Sequence, residues 1–105
     1  MLPLLPAEYT QYVAAHGAFE GFTSGDPGYV ALWRMDEIQS NNADIAIEEY
    51  APGFVAFAGN GGGEVLAFDA LGVVYRLPMI GMAPEHAIQL ANSFHELAAR
   101  FELQA

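Results

Sequence analysis

The sequence has no cysteine and no lysine, and its only cations besides histidine are Arg34, Arg76 and Arg100. Without cysteine there can be no disulfides, no thiolate zinc ligands and no thiol nucleophile. Three scattered arginines against thirteen acidic residues leave a formal charge of -10. A surface that tracks phosphates needs clustered cations, so nucleic-acid binding is all but excluded and anionic membranes are disfavoured. Charged residues make up only 15% of the chain, against about 25% in ordinary domains. No apolar run approaches the roughly 18 residues of a membrane span. The stretch from Met1 to Gln11 carries neither the positive charge nor the apolar run of a signal peptide. A cytoplasmic location is the expectation.

What is present fits one domain spanning residues 1–105. At this length folding buries very roughly 60–70% of the unfolded chain's surface, enough for a core without staples. The hydrophobic share is 53%. Combined with so few charges, it leaves part of the surface apolar, which suits a partner or a self-interface such as a homodimer.

Helical spacing of Leu5, Tyr9, Tyr12, Val13 and His16 predicts a first helix from Pro6 to His16, stopped by Gly17. Residues 20–28 are dense in turn formers and read as a loop. A β-prone run follows at Tyr29 to Trp33, then a short helix at Met35 to Asn42. Ile45 and Ile47 read as a brief edge strand before the turn at Pro52-Gly53. Phe54 to Ala58 and Glu64 to Asp69 read as two strands joined by Gly59-Asn60-Gly61-Gly62-Gly63, residues that tolerate the positive φ of tight hairpins. The turn Ala70-Leu71-Gly72 leads to a third strand, Val73 to Leu77. The last element, Pro84 to Phe101, reads as an amphipathic helix with Leu90, Phe94, Leu97 and Phe101 on one face and a Glu96–Arg100 pair. The expected fold class is α+β: a twisted antiparallel sheet, meander at its centre, with N-terminal and C-terminal helices packed on it.

Catalytic chemistry finds little support. His86 and His95 are nine residues apart and fall on opposite sides of the expected last helix, so they cannot share a metal within it. Ser24, Ser40 and Ser93 lie in no nucleophile-elbow context, and Ser93 falls in mid-helix. The glycine run is no phosphate loop, because no lysine follows and the next segment is a strand. Glu64 and Asp69 bracket a strand at odd separation, which puts them on opposite faces. The chain therefore reads as a non-enzyme with no cofactor and no metal. Its acidic cluster, Asp36, Glu37, Asp44, Glu48 and Glu49, reads either as a solvated face or as a patch that grips a basic partner. Trp33, the single tryptophan, ends an apolar strand and is assigned to the core.

The ordered features resemble the SUKH superfamily, known for bacterial immunity proteins that neutralise toxins. The likeness begins with Leu5-Pro6 opening a helix that carries Tyr9, Tyr12 and Gly17. It continues through Leu32-Trp33, Asp36-Glu37-Ile38 and Asn42, and is strongest at Phe57-Ala58-Gly59-Asn60-Gly61-Gly62-Gly63-Glu64 leading to Ala67-Phe68-Asp69. Val74-Tyr75-Arg76-Leu77-Pro78 and Ala91-Asn92-Ser93-Phe94 extend it. Ala58 departs from the glycine expected there. The resemblance implies a scaffold role for Trp33, for Gly59, Asn60, Gly61, Gly62 and Gly63, and for Asp69.

The leading reading is an immunity protein that neutralises a bacterial toxin, a basic nuclease being the natural target of so acidic a surface. Contact residues would be Asp36, Glu37, Asp44, Glu48, Glu49 and Glu64. Two other readings stand beside it. One is a regulatory interaction module with a non-toxin partner; the other is a small ligand-binding domain or enzyme with a pocket near Asp69 and the glycine turn.

Overall fold

The computed structural model describes residues 1–103. Helix α1 (Ala7–His16) begins after Pro6, whose fixed φ suits a helix start, and stops at Gly17. Six strands follow: β1 (Glu20–Phe22), β2 (Tyr29–Leu32), β3 (Val55–Gly59), β4 (Glu64–Phe68), β5 (Val74–Pro78) and β6 (Ile88–Ala91). Between β2 and β3 lie a 3-10 turn at Met35–Glu37, α2 (Ile38–Asp44) and α3 (Ile47–Tyr50). Helix α4 (Phe94–Ala98) follows β6. All six strands form one sheet in sequence order with every neighbour antiparallel. The expected α+β architecture is present; the three-strand meander read from the sequence is the centre of a longer one, which also takes in β2 at the β-prone run from Tyr29 and adds β1 and β6.

Strands β3 and β4 sit in the middle and are covered on both faces. Along β4, Leu66 and Phe68 join one buried cluster while Val65 and Ala67 join the other, the alternation that the pleat imposes. The first face is covered by α1 and α4 through Tyr9, Phe94 and Leu97. The second is covered by Ile47 of α3, Ala51 and Met82. Trp33 is half-buried and packs against both clusters, close to the core role expected of it.

Tyr9 is the hub of the first face. Its ring meets Phe57, Phe68 and Phe94 edge-on, with centroids 5.2, 5.8 and 5.1 Å away, the geometry that aromatic quadrupoles favour. Its hydroxyl donates to the carbonyl of Trp33 at 2.7 Å and lies 3.2 Å from that of Phe57. Burial pushes the phenol far above its ordinary pKa, so it remains a proton donor at any physiological pH.

Three sequence-based expectations are corrected. Residues 20–28 are not all loop: Glu20, Gly21 and Phe22 pair with Ala31, Val30 and Tyr29. A three-residue strand with glycine at its centre carries almost no local signal, and only its partner makes it a strand. Ile45 and Ile47 do not form an edge strand. Ile45 caps α2 and Ile47 opens α3, and the left-handed Ala46 between them (φ 52°) turns both towards one cluster. That kink imitates the every-second-residue pattern of a strand.

The third correction is the largest. Pro84 to Phe101 is not one helix but a 3-10 turn (Pro84–His86), β6 and the short α4. Leu90, Phe94, Leu97 and Phe101 are all buried in one cluster as expected, but Leu90 arrives there from a strand. Ser93 is not mid-helix; it caps α4, its hydroxyl accepting from the Glu96 amide at 3.2 Å. A serine with glutamate three residues on is a helix-start signal, and it marks the break. The Glu96–Arg100 pair does form, at 3.5 Å.

Replacing Tyr9 with phenylalanine keeps the ring packing and orphans the Trp33 carbonyl, while the Phe57 carbonyl still accepts from the Trp33 amide at 2.8 Å. The expected cost is about 1–3 kcal/mol, read as a lowered urea midpoint with an unchanged slope.

Candidate functional site

The acidic residues are placed by a gap in the sheet. Strand β2 pairs with β3 only at Ala31–Gly59 and Leu32–Ala58, with one further bond from the Trp33 amide to the Phe57 carbonyl. Beyond that point β2 has turned away, and Ala56 has no strand on that side. Asn42 fills the place. Its Oδ1 accepts from the Ala56 amide at 2.8 Å, and its Nδ2 donates to the Ala56 carbonyl at 2.9 Å and to the Ile38 carbonyl at 2.7 Å. Asn42 is 2% exposed. One side-chain amide thus acts as the missing strand partner and ties α2 to the sheet edge.

From that anchor the helical segment crosses from one face of the sheet to the other. Ile38 packs in the first cluster, while Ile45 and Ile47 pack with the second. The outward side of this segment carries the acids. Asp36, Asp44, Glu48 and Glu49 are exposed and Glu37 is half-buried. The one arginine on this segment, Arg34, grips Asp36 through Nη2–Oδ2 at 2.6 Å and Nε–Oδ1 at 3.0 Å. The guanidinium holds the Asp36 carboxyl below the usual carboxylate range, and Asp36 raises Arg34 in turn. Glu37 accepts from the Arg34 amide at 3.0 Å, and Glu48 meets the Met1 amine at 2.6 Å. Among the described residues Asp44 and Glu49 have no partner.

The other two arginines are engaged elsewhere. Arg76 lies 3.4 Å from Glu64 and 3.5 Å from Asp26. Arg100 donates to the Asp26 carbonyl at 3.0 Å. Both therefore hold the turn between β1 and β2, leaving Arg34 and the Met1 amine as the cations beside the helical acids.

Five of the six acidic candidates lie on the segment between β2 and β3, and the sixth lies on a strand. Glu64 sits on β4, where it meets Arg76 and accepts from the Asn60 side chain at 2.8 Å. Asn60 also shapes the hairpin, its Oδ1 accepting from the amides of Gly62 and Glu64 at 2.9 and 3.3 Å. In this turn Gly61 and Gly63 take positive φ, which side chains resist. Asp69 stands at the end of β4 as a turn former, accepting from the amides of Leu71 and Val73 at 2.9 and 3.0 Å. Its carboxylate is occupied by backbone, so the glycine turn and Asp69 read as scaffold.

The histidines are placed otherwise than expected. His86 and His95 do not share a helix: His86 lies in the 3-10 turn with Nδ1 2.8 Å from the Gly81 carbonyl, and His95 on α4 lies 3.2 Å from Glu8. His16 stacks on Tyr12. Among the described residues no group of three or more His, Asp or Glu could hold a metal ion, and no helix is long and apolar enough to cross a membrane.

Sequence reasoning missed an apolar feature beside the acids. Tyr50, Met79 and Ile80 are exposed, and Tyr50 and Met79 border a hollow with Ile45, Gly81 and Met82. The available signal was the pair Met79-Ile80, apolar residues placed between the strand-ending Pro78 and Gly81.

Over residues 4–100 the chain matches the SMI1/KNR4 family (SUKH-1), and it belongs to that family. Members of this family are generally immunity or regulatory domains without catalysis. No curated protein matches the chain.

Asn42→Ala leaves the Ala56 amide and carbonyl unpaired in the interior, at an expected cost of about 2–4 kcal/mol in chemical denaturation. Asn42→Asp keeps an acceptor but turns a carboxylate towards two carbonyls, which raises its folded pKa above the unfolded value. Protonation restores the lost donor, so the stability gap between Asn42→Asp and wild type should narrow as pH falls through about 5 towards 4. A gap that stays constant with pH would contradict the hydrogen-bond role.

Proposed function

We propose that this chain is a non-catalytic protein-binding module, an immunity protein that neutralises a bacterial toxin by covering its cationic surface. The observation that carries this reading is the acidic helical segment, five carboxylates, four of them exposed, beside one arginine. The family supports it as a protein-interaction fold. A nuclease that binds phosphate presents lysine and arginine, so it offers the complementary surface. Opposite charge speeds encounter by one to three orders of magnitude at low salt, and inhibition follows from occlusion with no chemistry on this chain. Asp36, Glu37, Asp44, Glu48 and Glu49 are the proposed contacts. Glu64, engaged by Arg76 and Asn60, is a contact only where a partner reaches β4.

The test uses products of the genes adjacent to this one as candidate partners. Binding is measured at about 50 mM and about 500 mM salt, since the Debye length shrinks severalfold over that range. A toxin partner should associate at least tenfold more slowly at high salt. Joint replacement Asp44→Asn, Glu48→Gln and Glu49→Gln should slow association by about tenfold at low salt with little change in dissociation. Salt-independent binding, or a triple variant that associates like wild type, would overturn the charge-steered reading. A cationic partner that is no toxin would keep the binding mode and replace immunity with regulation.

A further inference from the structure

The connection from β5 to β6 covers the second face of the sheet and is fixed near both ends. The Met79 amide donates to the Gly63 carbonyl at 3.0 Å, and the His86 ring meets the Gly81 carbonyl at 2.8 Å. Between these ties Gly81 takes positive φ (75°), and the chain turns so that Met79 and Ile80 face water, 46% and 94% exposed. Facing them from α3 is Tyr50, 54% exposed. Ile45, Tyr50, Met79, Gly81 and Met82 enclose a hollow of about 300 Å³, with Met82 buried.

A hollow of this size lies at the bottom of the range for ligand sites and suits a single large side chain. No charged or hydrogen-bonding side chain other than the Tyr50 hydroxyl lines it. Asp44 precedes Ile45 and Glu49 precedes Tyr50, both carboxylates exposed, while Glu48 is held by the Met1 amine and lines a separate hollow with Met1, Leu2 and Leu5. Asp44 and Glu49, next in sequence to two lining residues, are the carboxylates of this segment without partners among the described residues. Methionine and tyrosine are adaptable, apolar contact residues of the kind found at the centre of interfaces.

We infer that this hollow is the anchor point for the partner, receiving one large apolar side chain flanked by lysine or arginine. The inference rests on the charge-steered reading above and adds to it a position and a sequence preference. A second copy of this chain is a poor occupant. It would bring a further charge of -10 and set carboxylates against carboxylates. A basic partner segment places its cations against Asp44 and Glu49 while its apolar residue fills the space.

The four methionines, Met1, Met35, Met79 and Met82, make a direct test. The full chain is labelled with carbon-13 on its methionine methyls and titrated with the peptide Lys-Lys-Phe-Lys-Lys or its counterpart Lys-Lys-Ser-Lys-Lys at about 50 mM salt. With the phenylalanine peptide the Met79 and Met82 signals should shift saturably, with affinity at least about fivefold tighter than with the serine peptide. The exposed replacement Tyr50→Ser should weaken the phenylalanine peptide severalfold and leave the serine peptide unchanged. Equal binding of the two peptides, or shifts confined to Met35 and Met1, would overturn the anchor and leave charge-steered binding standing. Failure of both peptides to bind would overturn both.

Discussion

Everything on the second face of the sheet depends on how Ala56 is paired. Strand β2 accompanies β3 for only part of its length, so the amide and carbonyl of Ala56 would be left unpaired inside the protein. Each such group costs about 1–3 kcal/mol. Asn42 meets both with one side chain, and because it sits at the middle of α2 the pairing sets where that helix lies. The position of Ile38 on one face, of Ile47 on the other, and of the acids on the outside then follows. The bulge between Ala56 and Ala58 belongs to the same region. It lets Ala58 pack with the first cluster although Ala56 faces the second.

Charge is distributed by the same frame. With only three arginines, where each one is used decides the field of the surface. Arg76 and Arg100 converge on the turn that carries Asp26, and Arg34 stays with Asp36. On α2 and α3, Glu48 has only the Met1 amine, and Asp44 and Glu49 are left to solvent. Carboxylates in that arrangement add little to folding, since exposed charges in water interact weakly. They do shape the long-range potential, which is where a binding role would be felt.

Burial was easier to read than backbone path. Leu90, Phe94, Leu97 and Phe101 are all buried together as their spacing implied, yet half of the expected helix is strand and turn. Four apolar residues at helical spacing also fit a strand that delivers Leu90 and a short helix that delivers Phe94 and Leu97. Only Ser93 and Glu96 distinguish the two. Ile45 and Ile47 misled in the opposite sense, because the left-handed Ala46 placed two helix-bounding residues in a strand-like pattern. Both errors share a cause: periodicity reports which side chains are buried, and several backbones can bury the same ones.

The sequence by itself determined the charge sign, the absence of thiol chemistry, the central hairpins and the family resemblance, since these rest on composition and on turn residues whose preferences are local. Asn60, Asp69 and the glycines act on atoms within a few positions of themselves. Tertiary structure alone decided which acids are paired and which are left to solvent, that Glu64 is engaged by Arg76, and that Tyr50 and Met79 border one hollow. Those outcomes need contacts between residues tens of positions apart, such as Asn42 with Ala56 and Arg76 with Asp26. Such contacts exist only once the sheet has closed around them.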